Sequence, residues 1–243
     1  TLLIVKGAPE AIIPLCATGQ ESIKGLNTQT QNVYSWLSQQ GKSGKRVLAI
    51  ATKTFDQESF TEKDEKELTL NGFISFEDPI KPTAYKAVTQ AQKMGVKIKI
   101  LTGDGIDVAQ NVAIKTGIAQ DLNQTITGED FFALPPEEQD LKLAEISVFA
   151  RVSPEQKTKI IQMLQKKLEV GYLGDGINDA PALKSAGVAI VVNTAADISK
   201  EVADIVLLKK DLKVITDGIE MGRKTYINVA NYIKATLSSN FGN

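Results

Sequence analysis

The sequence predicts an α/β fold in which a parallel sheet is covered by helices on both faces, preceded by part of a smaller α+β unit. Three observations carry this expectation. From "LNGFISFEDPIKP" onward, short apolar strand-like runs alternate with helical stretches. Polar elbows, two of them glycine-bearing, follow three of those runs, at the strand ends where parallel sheets bind ligands. With 243 residues, 42% of them hydrophobic, the chain can build one large domain or a medium domain with a smaller neighbour.

The elements follow in order. Residues 1 to about 70 mix strand and helix signals: "LLIV", a helix from about Asn27 to Gln40 closed by Gly41, and the strand "RVLAIATKTF". "FDQESFTEKDEKE" reads as a charged surface loop. A helix begins near Pro82, a favourable first-turn residue, buries Ala84, Val88, Ala91 and Met94, and ends at Gly95. "VKIKIL" is then a strand, and a helix runs from about Asp107 to Gly117. After an irregular segment come the strand "SVFA", a helix from Pro154 to about Lys167, the strand "VGYL", a short helix after Asp179, and the strands "VAIVV" and "DIVLL". From Leu212 onward the sequence reads as one long helix that leaves the domain.

Composition narrows the function. Twenty-eight basic and 29 acidic residues leave a formal charge of -1, without the single-sign field of a nucleic-acid binder. Histidine is absent, so catalysis must run on carboxylates, lysines and backbone groups. The single Cys16 leaves no internal disulfide framework and fits a reducing compartment. No apolar run approaches the roughly 18 residues that span a bilayer. "TLLIVKG" opens inside a strand and "TLSSNFGN" stops inside a helix, so the chain is expected to be a fragment of a longer protein.

The elbows suggest phosphoryl chemistry. Asp175 and Asp179 lie four apart, with Gly176 expected to let the backbone turn sharply between them. Paired carboxylates suit Mg²⁺, which fills its remaining positions with water and phosphate oxygens. "TGD", Thr102 to Asp104, offers a hydroxyl, a flexible backbone N–H and a carboxylate at a strand end. Lys157, near the start of a helix, can neutralise a phosphate as a point charge. A lone "GDG" is a turn, and a lone lysine on a helix is a solvated side chain. Three such motifs at successive strand ends make a site for phosphoryl transfer, where positioning and electrostatics do most of the work.

"TGDG", "ARVSPEQK" and "GDGINDAPAL" resemble the phosphorylation-domain signatures of P-type cation-transporting ATPases, members of the haloacid dehalogenase-like superfamily. "KGAPE" and "GKRVLAIA" resemble the same family's nucleotide-binding domain, and "EDPIKP" its hinge. The resemblance implies a Rossmann-like parallel sheet of haloacid dehalogenase type beside part of a nucleotide-binding domain. The implied divisions are residues 1–76, nucleotide-binding; 77–211, phosphorylation domain lacking its first strand; and 212–243, a helical stalk leading to a membrane helix.

By the same resemblance Lys6 and Gly7 line the adenine pocket, Arg46 contacts the ATP phosphates and Asp78 acts at the hinge. Thr102 and Gly103 hold the transferred phosphoryl group, Asp104 and Arg151 approach the nucleotide, and Lys157 balances the phosphoryl charge. Asp175 and Asp179 bind Mg²⁺, with Asn178 completing that corner. ATP and Mg²⁺ are the implied cofactors.

The sequence departs from the family in two ways. Gly105 follows "TGD" where the family usually has asparagine, which loosens one local contact. The "DKTGT" segment that carries the phosphorylated aspartate is not among these residues; the family places it before the nucleotide-binding domain, upstream of Thr1. The implied partners are therefore the rest of the same pump (the actuator domain, the membrane helices and the phosphorylation segment) and the transported cation.

The tail "NYIKATLSSNFGN" resembles the entry of the fifth membrane helix in the magnesium-translocating branch, pointing to magnesium or another divalent cation. The expectation is a cytoplasmic portion of an integral membrane pump, in the plasma membrane. Two other readings stand beside it: a soluble phosphatase of the same superfamily, which would need an early "DxD" strand end, and a non-catalytic nucleotide-binding module.

Overall fold

The computed structural model describes residues 2–17, 30–54, 61, 65–77, 79–174 and 176–241. It divides into two compact units, one of Thr1–Pro79 with Asp104–Val112 and one of Ile80–Gly103 with Ala113–Asn243.

The first unit is built on an antiparallel sheet of β1 (Leu2–Gly7), β2 (Lys45–Thr54) and β3 (Thr69–Glu77), in that order. Lys6 lies opposite Ile50, Gly7 opposite Ala49, and Arg46 opposite Phe76. Alternation along β1 exposes Leu2, Ile4 and Lys6 and turns Leu3 and Val5 inward. There they meet Ala49, Ala51, Leu68, Leu70 and Ile12, the last on the short helix α1 (Pro9–Ile12).

Helix α2 (Thr30–Lys42) runs through Gly41 instead of stopping there. Gly44, at φ +84°, is the residue that ends the helical stretch, its N–H donating to the Gly41 carbonyl. Gly41 serves packing instead: a Cβ there would lie 2.7 Å from Cβ of Asp107. The expected start at Asn27 and the loop from Phe55 to Phe60 lie outside the described residues.

In the second unit, α3 (Ala84–Lys93) begins two residues after Pro82 and buries Ala84, Ala87, Val88 and Ala91. Met94, expected in the core, is only half-buried. "VKIKIL" forms a ladder only at β4 (Ile100–Leu101), a correction to the longer strand expected. Helix α4 (Ile106–Thr116) has its first residues in the first unit and its last in the second.

The stretch expected to be irregular holds β5 (Thr125–Thr127), α5 (Gly128–Ala133) and α6 (Pro136–Glu145). Next come β6 (Val148–Ala150), α7 (Pro154–Gln165), β7 (Gly171–Gly174), α8 (Ala180–Ser185), β8 (Val188–Val192), α9 (Asp197–Glu201), β9 (Ile205–Leu207) and α10 (Leu212–Phe241).

The strand pairs of this unit are all parallel, in the orders β4-β6-β5 and β7-β8-β9. Strand β6 is central, and Val148, Phe149 and Ala150 are fully buried on both faces. Phe149 meets Phe131 edge to face, centroids 5.1 Å apart, in a core with Ile146 and Ile160. A second core gathers Leu183, Ala189, Val191 and Leu207 around β8. Among the described residues, no helix is long and apolar enough to cross a membrane.

Lys99, half-buried before β4, donates to the carbonyl of Ile146. Burial first, and the charge of Lys97 second, push its pKa from 10.5 down to about 8. Between those values the unfolded chain binds more protons than the folded one, so stability should rise with pH across that window. Lys99→Met is therefore expected to raise the melting temperature at pH 7, with the gain shrinking as pH rises through the window. A gain that stays constant with pH would show that the lysine's charge is not what it relieves.

Candidate active site

The polar elbows follow β4, β6 and β7. Thr102 directly follows β4, its N–H donating to the Phe149 carbonyl at 3.0 Å and its own carbonyl accepting from Val152 N–H at 3.0 Å. These two bonds bracket Arg151, whose backbone sits in the left-handed region at φ +51°. A non-glycine residue there costs on the order of 1–3 kcal/mol and is retained only where its surroundings dictate it. Here the Thr102 carbonyl supplies that constraint, and the Arg151 side chain stays exposed. Gly103 is exposed as well.

Helix α7 starts at a capping box. The Ser153 hydroxyl accepts from Gln156 N–H and the Gln156 side chain accepts from Ser153 N–H. One turn in, Lys157 extends its ammonium to Oδ1 of Asp179 at 2.7 Å, with side chains only 13% and 15% exposed. The Tyr172 hydroxyl on β7 donates to the same oxygen at 3.0 Å. Burial pushes the Asp179 carboxyl up, but Lys157, the Tyr172 hydroxyl and the Gly176 amide together hold it below the ordinary 3.8.

Two further features fasten this loop. Gly174 is buried, and a Cβ there would lie 2.9 Å from Cβ of Asp179 and 3.1 Å from Cε1 of Tyr172, so only glycine admits both side chains. Ser199 on α9, fully buried, donates its hydroxyl to the Gly176 carbonyl at 2.9 Å. That carbonyl also accepts the N–H of Asp179, closing a 3-10 turn over Ile177–Asp179.

The structure revises the expected role of Gly176. Its φ of -99° and ψ of 158° are extended values open to any residue, so the turn does not depend on glycine at that position. The Oδ1 atom of Asp179 faces an ammonium and a hydroxyl. Asn178 is exposed on the 3-10 turn. Asp175 and Asp78 lie outside the described residues. Among the described residues, no group of three or more carboxylates and cysteines could hold a metal by itself. The Asp179 carboxyl, held below the ordinary carboxylate range and so ionised, is a hard oxygen donor of the kind Mg²⁺ takes one or two of beside phosphate and water.

The boundary between units passes through "TGDG", leaving Thr102 and Gly103 in the second and Asp104 in the first. Inside the first unit, Asp104 pairs with Arg46 at 2.9 Å, with side chains 31% and 60% exposed. Lys6 is exposed on β1, while Gly7 packs near the Ile12 side chain.

Sequence reasoning missed Tyr172, Gly174 and Ser199. Strand alternation hinted at the first, since Tyr172 and Gly174 share one face of β7. Ser199 left no local signal.

The haloacid dehalogenase-like hydrolase profile matches residues 10–187. Over 99% of its length the chain is 41% identical to the "Magnesium-transporting ATPase, P-type 1" of Salmonella typhimurium and 37% identical to the protein of that name in Escherichia coli. Over 98% of its length it is 34% identical to the human "Calcium-transporting ATPase type 2C member 1". The chain spans 27% of the length of the two magnesium-transporting relatives and 26% of the calcium-transporting one. A parallel-stranded α/β unit with Thr102, Lys157 and Asp179 at its strand ends, matched by that profile over most of its residues, places the chain in the haloacid dehalogenase-like hydrolase family.

Proposed function

We propose that this chain is the cytoplasmic, ATP-handling part of a cation pump that works through an aspartyl-phosphate intermediate, with magnesium or another divalent cation as cargo. The observation that carries the reading is the Lys157–Asp179 pair, which joins α7 to the loop after β7 inside a haloacid dehalogenase-like unit. A half-buried carboxylate keeps the ammonium in place beside the strand ends, where it can offset phosphoryl charge. The names of the magnesium- and calcium-transporting relatives support the cargo class.

In this reading residues 1–76 belong to a nucleotide-binding domain, 77–211 to a phosphorylation domain and 212–243 to a stalk that leads toward a membrane, the plasma membrane on this proposal. Thr102 and Gly103 cradle the transferred group, and Asp104 and Arg151 approach the nucleotide. Asp175 and Asp179 hold Mg²⁺, with Asp179 also the counter-ion of Lys157, and Asn178 completes that corner. When bound, Mg²⁺ neutralises charge on the phosphate oxygens. Lys6 and Gly7 line the adenine pocket, and Asp78 acts at the hinge.

Arg46 contacts the ATP phosphates. Its exposed pair with Asp104 is worth at most about 1 kcal/mol, so an incoming phosphate displaces it at small cost. Actuator domain, membrane helices and the "DKTGT" segment are the partners this reading requires.

The 243 residues contain no "DKTGT", so the chain by itself should not hydrolyse ATP in steady state and should bind ATP weakly, through Lys6 and Arg46. Titration calorimetry with ATP, repeated on Lys6→Ala and Arg46→Ala, tests the binding; equal affinity in both variants moves the pocket elsewhere. Sequencing the coding region upstream of Thr1 tests the rest, since absence of "DKTGT" there removes the phosphorylated aspartate. Turnover that survives repurification would also sink the reading.

A further inference from the structure

The Lys157–Asp179 pair has a third member whose presence packing alone does not explain. Tyr172 sits on β7 opposite Ala189 of β8, and its ring joins the core around Leu183 and Val191. A phenylalanine would fill that space equally well. The hydroxyl adds a 3.0 Å hydrogen bond to Oδ1 of Asp179, the oxygen that also receives Lys157 at 2.7 Å.

We propose that the Tyr172 hydroxyl is a positioning group for phosphoryl transfer: it holds the Asp179 carboxylate on Lys157 and so fixes where the ammonium stands. This rests on the function proposed above. A lysine side chain turns about four bonds and loses about 2 kcal/mol of rotamer freedom when immobilised. Its carboxylate partner, held by the ammonium alone, could swing with it. A tyrosine has only two such torsions, and Tyr172 is further fixed by its strand ladder and core packing.

Its hydroxyl therefore ties the carboxylate to the rigid sheet, and the Gly176 amide reaches the same carboxylate from the loop. Buried Gly174 leaves the gap in which the ring edge and the Asp179 side chain approach each other. The flexible lysine is thus located through a carboxylate that is located by the sheet. A misplacement of about 1 Å is enough to matter, because electrostatic help to a transferring group depends on donors being in place before the reaction.

Tyr172→Phe keeps the ring and removes only the hydroxyl, so the fold should survive, with a melting temperature within about 3 °C of the parent. In the 243-residue chain, ¹⁵N relaxation of the Lys157 ammonium should show a clear fall in its order parameter. In the longer protein containing this chain and "DKTGT", phosphoenzyme formation at saturating ATP should slow about tenfold, the equivalent of one hydrogen bond to a charged acceptor. The KM for ATP should stay within about twofold, as expected for loss of an interaction made in the transition state. Tyr226→Phe, a change on the exposed face of α10, should alter none of these. An unchanged Lys157 order parameter, or an unchanged rate, overturns the proposal. Absence of any phosphoenzyme in the unsubstituted protein would instead overturn the functional reading, while the relaxation experiment would still decide whether Tyr172 orders Lys157.

Discussion

Lys157→Ala is expected to abolish acid-stable labelling from [γ-³²P]ATP in the protein that carries this chain with a "DKTGT" segment. Labelling reports the aspartyl-phosphate directly, and the ammonium is held on Asp179, in the loop after β7. Removing it takes away the point charge that offsets the phosphoryl oxygens. The same change leaves Asp179, with a side chain 15% exposed, the Tyr172 hydroxyl and the Gly176 amide as partners among the described residues. Stripping one member from such a pair costs about 3 kcal/mol, so folding must be separated from chemistry.

The double variant Lys157→Met with Asp179→Asn makes that separation. It removes both charges, should recover most of the lost stability, and should still fail to label. Lys159→Ala is the contrasting control: Lys159 lies two residues further along α7, with its ammonium 5.9 Å from the Phe132 ring centroid, and should label normally. Normal labelling of Lys157→Ala would remove the lysine from the mechanism.

Acid should act on the same pair. The folded pKa of Asp179 is depressed, so the stability it contributes is present above its ordinary 3.8 and lost as pH falls through the folded value. Lys157→Ala weakens that depression, and its destabilisation relative to the parent should accordingly shrink toward acid pH.

Phe149→Ala should produce the largest loss of stability, about 4 kcal/mol. The ring is fully buried on the central strand β6, edge to face with Phe131 and packed within the core that includes Ile160. Neighbours on both sides of the strand restrict collapse into the resulting cavity, so the transfer and cavity terms add. Urea unfolding followed by circular dichroism would measure it. Phe149→Leu, which keeps more of the volume, should cost about 1.5 kcal/mol or less. A loss below about 1 kcal/mol for the alanine variant would mean that β6 is not the centre of this core.

The sequence by itself determined the parts whose causes are local. Apolar spacing and the flanking Pro82 and Gly95 announced α3, Pro154 announced the start of α7, and the run "SVFA" contained the buried strand β6. Those signals depend on residues within one or two helical turns or on neighbours along a strand, which is why periodicity can read them. Where the signal was too short, reading failed: β5 has three residues, and the pairing that makes it a strand is with Val148–Ala150, some twenty residues on. "VKIKIL" failed in the opposite sense, because apolar alternation does not supply a ladder partner and only Ile100–Leu101 found one.

The elbows themselves were legible, since threonine, aspartate, lysine and glycine at strand ends carry their chemistry in their identities. What they touch was decided only by tertiary structure. Lys157 and Asp179 are separated by 22 positions and meet because α7 and the loop after β7 bring their side chains to one point. Tyr172 joins them through strand direction, Gly174 through the side chain it lacks, and Ser199 through a hydroxyl buried against the Gly176 carbonyl. Residue type sets which interactions are possible, and the packing of distant elements selects the few that form, because a hydrogen bond needs its partners within about 3 Å and aligned.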